Sequence, residues 1–247
     1  MRSDLPIAVV TGAASGIGEA TALRLHREGY RLACMDRDAA GLDLLFRELG
    51  DRHLALVVDL REEDQIRKAF AHVQRWAPSG IQVLAACAGV VETTPLDDLS
   101  VARFQQTLSV NLTGTFLCIQ EAARQMKAGA SICTVASVAA LRGGGIAGTS
   151  AYAASKAGVI ALSKTAAREL GPRGITVNVV APAVIRTPML TTTTSQPGHI
   201  DRVRAMTALG REGTAMEAAA AIAWLVSPQA SFVTGVILPV DGGLSMY

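Results

Sequence analysis

Along the chain, short runs of consecutive apolar residues alternate with longer stretches in which apolar side chains return every three or four positions. The runs are Ile7–Thr11, Arg31–Asp36, 53–59, Ile81–Ala86, 130–136, 175–180 and 236–240. Most are apolar without alternation, which predicts strands buried on both faces. Between them the periodicity predicts helices over 16–28, Ala39–Leu49, 62–76, a long 101–127 and 152–170. Their ends carry stop signals: Gly29 and Gly50 close the first two, Pro78 follows the third, and Gly171-Pro172 ends the last. Seven strands with helices between them predict an α/β chain, a single-domain doubly wound parallel sheet of the Rossmann type with helices on both faces. No repeat or low-complexity linker divides it, so one domain is expected over 1–247. The most irregular stretch is 188–198, with four threonines in a row at 191–194. Beside a sheet edge, this predicts a lid around 188–212.

Composition narrows the possibilities. Half of the 247 residues are apolar and 18% are charged, which suits a large core. A formal net charge of +2 without any block of like charge leaves no footprint for nucleic acid or an anionic membrane. The most apolar helical stretch, 218–226, is nine residues long, whereas a membrane span needs about 20. The first apolar run holds four residues, 7–10, too few for the roughly 7–15 of a secretory signal. Cys34, Cys87, Cys118 and Cys133 form no C-x-x-C pair, and the four histidines lack zinc spacing. A soluble cytoplasmic protein with reduced cysteines and no protein-held metal is expected.

Two constellations carry chemistry. Directly after the first strand, Thr11-Gly12-Ala13-Ala14-Ser15-Gly16-Ile17-Gly18 leads into a helix. A dinucleotide pyrophosphate needs to approach backbone N–H groups at a helix N-terminus, which glycine permits and a Cβ blocks. The spacing is G-x-x-x-G-x-G, and no Gly-Lys-Ser/Thr makes a P-loop. Asp36 closes the second strand 18 residues beyond Gly18, where a ribose-binding carboxylate is expected. The second constellation is Tyr152 and Lys156, four apart on one helix face. A phenol is a poor base at neutral pH unless a cation stabilises its phenolate. Ser137, at the end of the preceding strand, can meet a substrate oxygen at the sheet's C-terminal edge.

With these residues in place, the sequence resembles the short-chain dehydrogenase/reductase family over nearly its whole length. Thr11–Gly18 matches the family's T-G-x-x-x-G-I-G, Asp59-Leu60 its adenine-side D-L, and Tyr152 to Lys156 its Y-x-x-x-K. Asn111 matches the family asparagine, and 233–243 the C-terminal strand and turn. The resemblance implies that Tyr152 is the general acid/base, that Ser137 orients the substrate oxygen, and that Lys156 lowers the Tyr152 pKa and holds the nicotinamide ribose. Asn111 would hold a water for proton relay. The implied cofactor contacts are Gly12, Ser15, Gly16, Ile17, Gly18, Asp36, Arg37, Asp59, Leu60, Ala88, Gly89, Pro182, Ile185 and Thr187, beside Tyr152 and Lys156. A homotetramer is implied, paired through the long helices after the fourth and fifth strands, the second carrying Ala153, Ala154, Ala157 and Ala161.

Three departures stand out. Ala86-Cys87-Ala88-Gly89 replaces the family's N-N-A-G, so a bracing amide is missing. Ala183 replaces the glycine of Pro-Gly, which requires a negative φ there. Ser137 and Tyr152 are 15 apart, with the extra length in 143–148. None removes a reacting group. The expected activity is NAD-dependent oxidation of a secondary alcohol or reduction of its ketone, because Asp36 repels a 2′-phosphate and the loop offers no cation against it. An NADPH-dependent 3-oxoacyl-carrier-protein reductase and a redox-silent nucleotide-binding regulator are the competing readings. The intact constellation argues against the regulator. Ala139, Ala140, Leu141, Val184 and Met189 are expected to make an apolar substrate pocket. Arg142, Arg186, Arg202 and Arg204 flank it and read as surface charges.

Overall fold

A computed structural model of the chain describes residues 5–144, 148–193 and 198–246. The strands are β1 (Ile7–Thr11), β2 (Arg31–Asp36), β3 (Leu54–Val57), β4 (Ile81–Ala86), β5 (Met126–Val135), β6 (Thr176–Pro182), a two-residue β7 (Ile185–Arg186), β8 (Gly213–Thr214) and β9 (Ile237–Val240). Helices are α1 (Gly16–Arg27), α2 (Ala39–Leu49), α3 (Glu63–Trp76), α4 (Val101–Leu108), α5 (Thr115–Gln125), α6 (Ala139–Arg142), α7 (Ser150–Leu170), α8 (Pro188–Thr193), α9 (His199–Met206) and α10 (Ala215–Leu225).

Seven strands form one parallel sheet in the order β3-β2-β1-β4-β5-β6-β9. Apolar side chains leave both faces, so two main cores form, with a smaller cluster of Ala136, Val159, Ile160 and Val179 beside them. One packs Phe70 and Ile66 of α3 and Leu117 and Cys118 of α5 against Leu84 and Ile132. The other packs Leu25 of α1, Leu42 of α2 and Ile222 of α10 against Val10 and Cys133. From β1 the chain winds outward through β2 and β3, then returns to β4 on the opposite side. That reversal opens a crevice at the carboxyl ends of β1 and β4, the place where open α/β sheets take ligands.

The sequence expectation holds for all seven sheet strands and needs three corrections. The long helix predicted over 101–127 is interrupted by a π-helical turn, Ser109–Gly114, and ends at Gln125, with Met126 already in β5. Asn111 sits inside that turn with its side chain fully buried, and single π turns inside α-helices favour such functional positions. The irregular stretch begins with the helix α8, while 194–197 of it lie outside the described residues. The third correction is a small second sheet that pairs β7 with β8 at the base of the 188–212 region. Among the described residues no helix is long and apolar enough to cross a membrane.

Candidate active site

The crevice is a cleft of about 360 Å³. Gly12, Ser15, Gly16, Ile17, Gly18, Asp36, Arg37, Asp59, Leu60, Ala88, Gly89, Ser137, Tyr152, Lys156, Pro182, Ile185 and Thr187 all line it. Asn111 does not; it stands behind the wall.

The glycine loop is built for close approach. Gly12 has φ +69°, and a Cβ there would lie 2.7 Å from the Ala88 Cα. On Gly18 a Cβ would lie 1.9 Å from the Gly12 carbonyl oxygen, so the first turn of α1 rests directly on the loop. Ser15 precedes α1 in extended conformation without capping it by its side chain. A dinucleotide pyrophosphate fits a loop of glycines and small side chains that ends on a helix N-terminus. Asp36 is fixed by two backbone donors: Ala14 N–H gives to Oδ2 and Asp38 N–H to Oδ1, both at 3.0 Å. Arg37 next to it is exposed. Asp59 accepts from the Arg61 guanidinium at 2.5 Å, and that hydrogen bond holds its carboxyl below the ordinary value.

At the other end lie the reacting groups. Ser137, Tyr152 and Lys156 are all buried. The Tyr152 phenol is held above its ordinary value by burial, opposed by its hydrogen bond with Ser137. Ala139 N–H donates to the Ser137 hydroxyl at 3.1 Å, which fixes that oxygen. Lys156 Nζ donates to the Val135 carbonyl at 2.8 Å and lies 5.9 Å from the Tyr152 ring centre. Burial brings the Lys156 ammonium down to about 8. In this arrangement burial, not Lys156, sets the direction of the phenol's shift, opposite to the lowering that the resemblance implies.

Both Nδ2 hydrogens of Asn111 are used, and its Oδ1 already accepts one bond. Its Oδ1 accepts from Val90 N–H at 2.8 Å, and its Nδ2 donates to the Val90 carbonyl at 2.9 Å and to Ser155 Oγ at 3.0 Å. Ser155 in turn donates to the Tyr152 carbonyl at 2.7 Å. The asparagine therefore ties the segment following β4 to α7. Sequence reasoning missed Ser155, although it lies inside the Tyr152–Lys156 motif.

The departures resolve in part. Ala183 keeps a negative φ, as required, since no described non-glycine residue has a positive one. Cys87 lines the cleft near Thr21, and burial pushes its thiol up to about 12, so it stays neutral. Residues 145–147 of the longer segment lie outside the described residues. Of the expected apolar pocket, Val184 and Met189 line the cleft, but Ala139, Ala140 and Leu141 form α6 and do not. Val90, Val91, Val110 and Leu190 line it instead. Arg186 and Arg204 share the buried Glu212, at 3.3 and 3.6 Å, and Arg142 donates to the Leu244 carbonyl at 3.4 Å.

Comparison with known proteins decides the family. The family model described as Enoyl-(Acyl carrier protein) reductase matches residues 12–245. The chain is 37% identical over 245 residues to the short-chain dehydrogenase/reductase eriH of Hericium erinaceus, covering 96% of each. The protein belongs to the short-chain dehydrogenase/reductase family. This oxidoreductase is also 36% identical to the (3R)-3-hydroxyacyl-CoA dehydrogenase of Mus musculus, over 100% of this chain and 98% of that one. The crystal structure of a glucose/ribitol dehydrogenase-type member from Brucella melitensis superposes with a TM-score of 0.92, at 35% identity over 98% and 97% of the two chains. A Burkholderia cenocepacia J2315 short chain dehydrogenase in complex with NADP gives 0.90, at 33% identity over 99% of each chain. A Brucella melitensis 3-ketoacyl-(acyl-carrier-protein) reductase complexed with NADH gives 0.87, at 30% identity over 99% and 100%. Members of the family thus bind a nicotinamide cofactor, of either kind.

Proposed function

We infer that the protein is an NAD-dependent dehydrogenase acting on a secondary alcohol or the matching ketone. The observation that carries this reading is the burial of Ser137, Tyr152 and Lys156 together in the same cleft that the glycine loop opens. Gly12, Ser15, Gly16, Ile17 and Gly18 would hold the pyrophosphate. Asp36 and Arg37 would face the adenosine ribose, and Asp59 and Leu60 the adenine. Ala88, Gly89, Pro182, Ile185 and Thr187 would wall the nicotinamide end. When bound, this cofactor supplies the hydride donor or acceptor.

The protein's own part is the proton. Tyr152 holds it at the phenol oxygen, a position shared with the Ser137 hydroxyl, so both oxygens converge on one substrate oxygen. Lys156, charged below about 8, stabilises the phenolate as it forms and would hold the nicotinamide ribose of a bound cofactor. Asn111 steadies the wall beside them. NAD is preferred because two backbone N–H groups aim the Asp36 carboxylate and hold it in place, where it opposes a 2′-phosphate. The exposed Arg37 favours the second reading, NADPH-dependent reduction of a 3-oxoacyl thioester. The protein would work in the cytoplasm as a tetramer. Ala154, Ala157 and Ala161 form an exposed stripe of small residues along α7 for the partner helix, and the 188–212 region would act as the lid.

The test is a substrate panel of cyclohexanol, 2-octanol, sorbitol and 3-hydroxybutyryl-CoA, each with NAD and NADP, read by nicotinamide absorbance. The valine-lined cleft should favour the apolar alcohols over sorbitol. Tyr152→Phe keeps the ring and removes the proton, so turnover on the best substrate should fall at least about 100-fold, the scale of general acid/base catalysis. Lys156→Ala should reduce both turnover and cofactor affinity. Near-normal turnover by Tyr152→Phe refutes the assignment.

A further inference from the structure

The helix that carries Tyr152 begins without an ordinary cap. Thr149 stands at the cap position of α7, but its side chain makes no capping hydrogen bond. Instead, Thr149 N–H donates to the Glu92 carbonyl at 2.8 Å, and Thr149 Oγ1 donates to the same oxygen at 3.2 Å. The start of α7 therefore hangs on one main-chain atom of the segment that follows β4.

That atom is itself held. Glu92 is 8% exposed, and a buried carboxylate survives only when fully paired. Thr94 N–H donates to its Oε1 at 2.7 Å, closing a local turn. Arg103 of α4 donates to Oε2 through Nε at 2.9 Å and to Oε1 through Nη2 at 3.4 Å. Upstream, Val90 is gripped on both its N–H and its carbonyl by Asn111, so the segment is pinned on both sides of Val91. Val90 and Val91 line the cleft, and Tyr152 lies three residues into the helix that the Glu92 carbonyl suspends.

We propose that Glu92 is a positioning residue for Tyr152: its carboxylate, locked by Arg103 and Thr94, fixes the carbonyl that sets the start of α7 and hence the placement of the phenol in the cleft. This rests on the reading of Tyr152 as the acid/base. Glu92 touches neither the glycine loop nor the Asp36 end, so its loss acts on the reacting group and leaves cofactor binding alone. Burial raises the Tyr152 phenol, so loosening the helix start lets water in and lowers it toward its ordinary 10.0.

The experiment compares Glu92→Ala, Glu92→Gln, Arg103→Ala and Tyr152→Phe on whichever panel alcohol the unmodified protein turns over fastest. Ultraviolet titration of the phenolate is run on each, with Tyr152→Phe locating the Tyr152 transition. Glu92→Ala should lower kcat about 10-fold, a tenth of the loss that a misplacement of about 1 Å brings, with the KM for cofactor unchanged. The Tyr152 transition should move down. Glu92→Gln keeps one acceptor, enough for Thr94 N–H, but sets an NH2 donor against Arg103 Nε, so it should recover only part of kcat. If Glu92→Ala does not fold, Arg103→Ala, whose side chain is largely in solvent, carries the test with a smaller loss in the same direction. Unchanged kcat and an unchanged phenolate transition in the variant that folds overturn the proposal, as does a parallel loss of kcat and cofactor affinity. If Tyr152→Phe itself retains turnover, the acid/base reading fails, and the phenolate titration still reports on the clamp.

Discussion

Gly148 lies against the proposed acid/base, and replacing it with alanine tests whether the phenol's exact seat matters. Its φ is +75°, and a Cβ there would lie 2.5 Å from Tyr152 Cδ1 and 2.7 Å from Cβ and Cγ. Carbon atoms pack at about 3.5–4.0 Å, so the ring or the backbone has to give by about 1 Å. The left-handed backbone adds roughly 1–2 kcal/mol of strain for a residue with a Cβ. The strain should lower Tm by about 2–4 °C per kcal/mol in a chain of this size. The ring displacement should lower kcat by about 100-fold, the scale of a 1 Å error in a reacting group. Gly143 supplies the control. It has φ +83° and nothing within 4 Å of the added Cβ, so Gly143→Ala carries similar strain without touching Tyr152. Turnover on the best panel alcohol and thermal unfolding, measured on both variants, separate the two effects. Equal turnover in the two variants would refute the reasoning.

Asp36→Ala should narrow or invert the preference for NAD over NADP, because Arg37 then faces the 2′-phosphate without opposition; equal kcat/KM for both cofactors in the unmodified protein would sink the argument. The buried His53 accepts from Leu32 N–H at 2.9 Å, and burial, then His26, Arg52 and Arg31, bring it from 6.5 down to about 4. Its folded value is depressed, so it contributes stability above 6.5 that drains away as pH falls from 6.5 to about 4. His53→Asn keeps an acceptor without a titrating group and should flatten the decline of Tm across that window; parallel curves would count against it. Light scattering should give several times the 25.7 kDa chain mass at micromolar concentration, and a monomer would exclude the proposed helix pairing.

Continuity of apolar residues was enough to read the inner strands of the sheet, because a strand covered on both faces has no alternation to blur it; only the edge strand β3 alternates in burial. Val9, Leu84 and Ile132 are all buried, and nothing in their neighbourhood offers a helical face. The glycine loop and Asp36 were legible for a different reason: their chemistry is local in sequence, with Ala14 and Asp36 joined across one βαβ unit. What escaped is non-local. The pairing of Ile185–Arg186 with Gly213–Thr214 joins two-residue strands across the 188–212 segment, too short to leave a pattern. The π turn at Ser109–Gly114 keeps helical periodicity on both sides and shows itself only through where Asn111 points. Glu92 looks like any surface acid until Arg103 and Thr149 are brought to it by the fold.

The two halves of the site come from opposite sides of the sheet's reversal, the cradle from β1 and the acid/base from the β5–α7 unit. They are not independent. A Cβ on Gly89 would lie 3.1 Å from Lys156 Nζ and 3.3 Å from Asn111 Oδ1. Lys156 is anchored on Val135 of β5 and Asn111 on Val90 just past Gly89, so the wall beside the cofactor and the floor beneath the phenol meet at one glycine. Gly12 in turn packs on Ala88, next to Gly89. A continuous chain of close contacts therefore runs from the phosphate loop through Ala88 and Gly89 to Lys156 and on, through α7, to Tyr152. With Cys87 in place of the family's asparagine, the side-chain amide that braces this stretch is that of Asn111, which grips Val90. The Glu92 carbonyl acts farther along, at Thr149 where α7 starts, which is how a carboxylate outside the cleft would bear on the phenol without touching this wall.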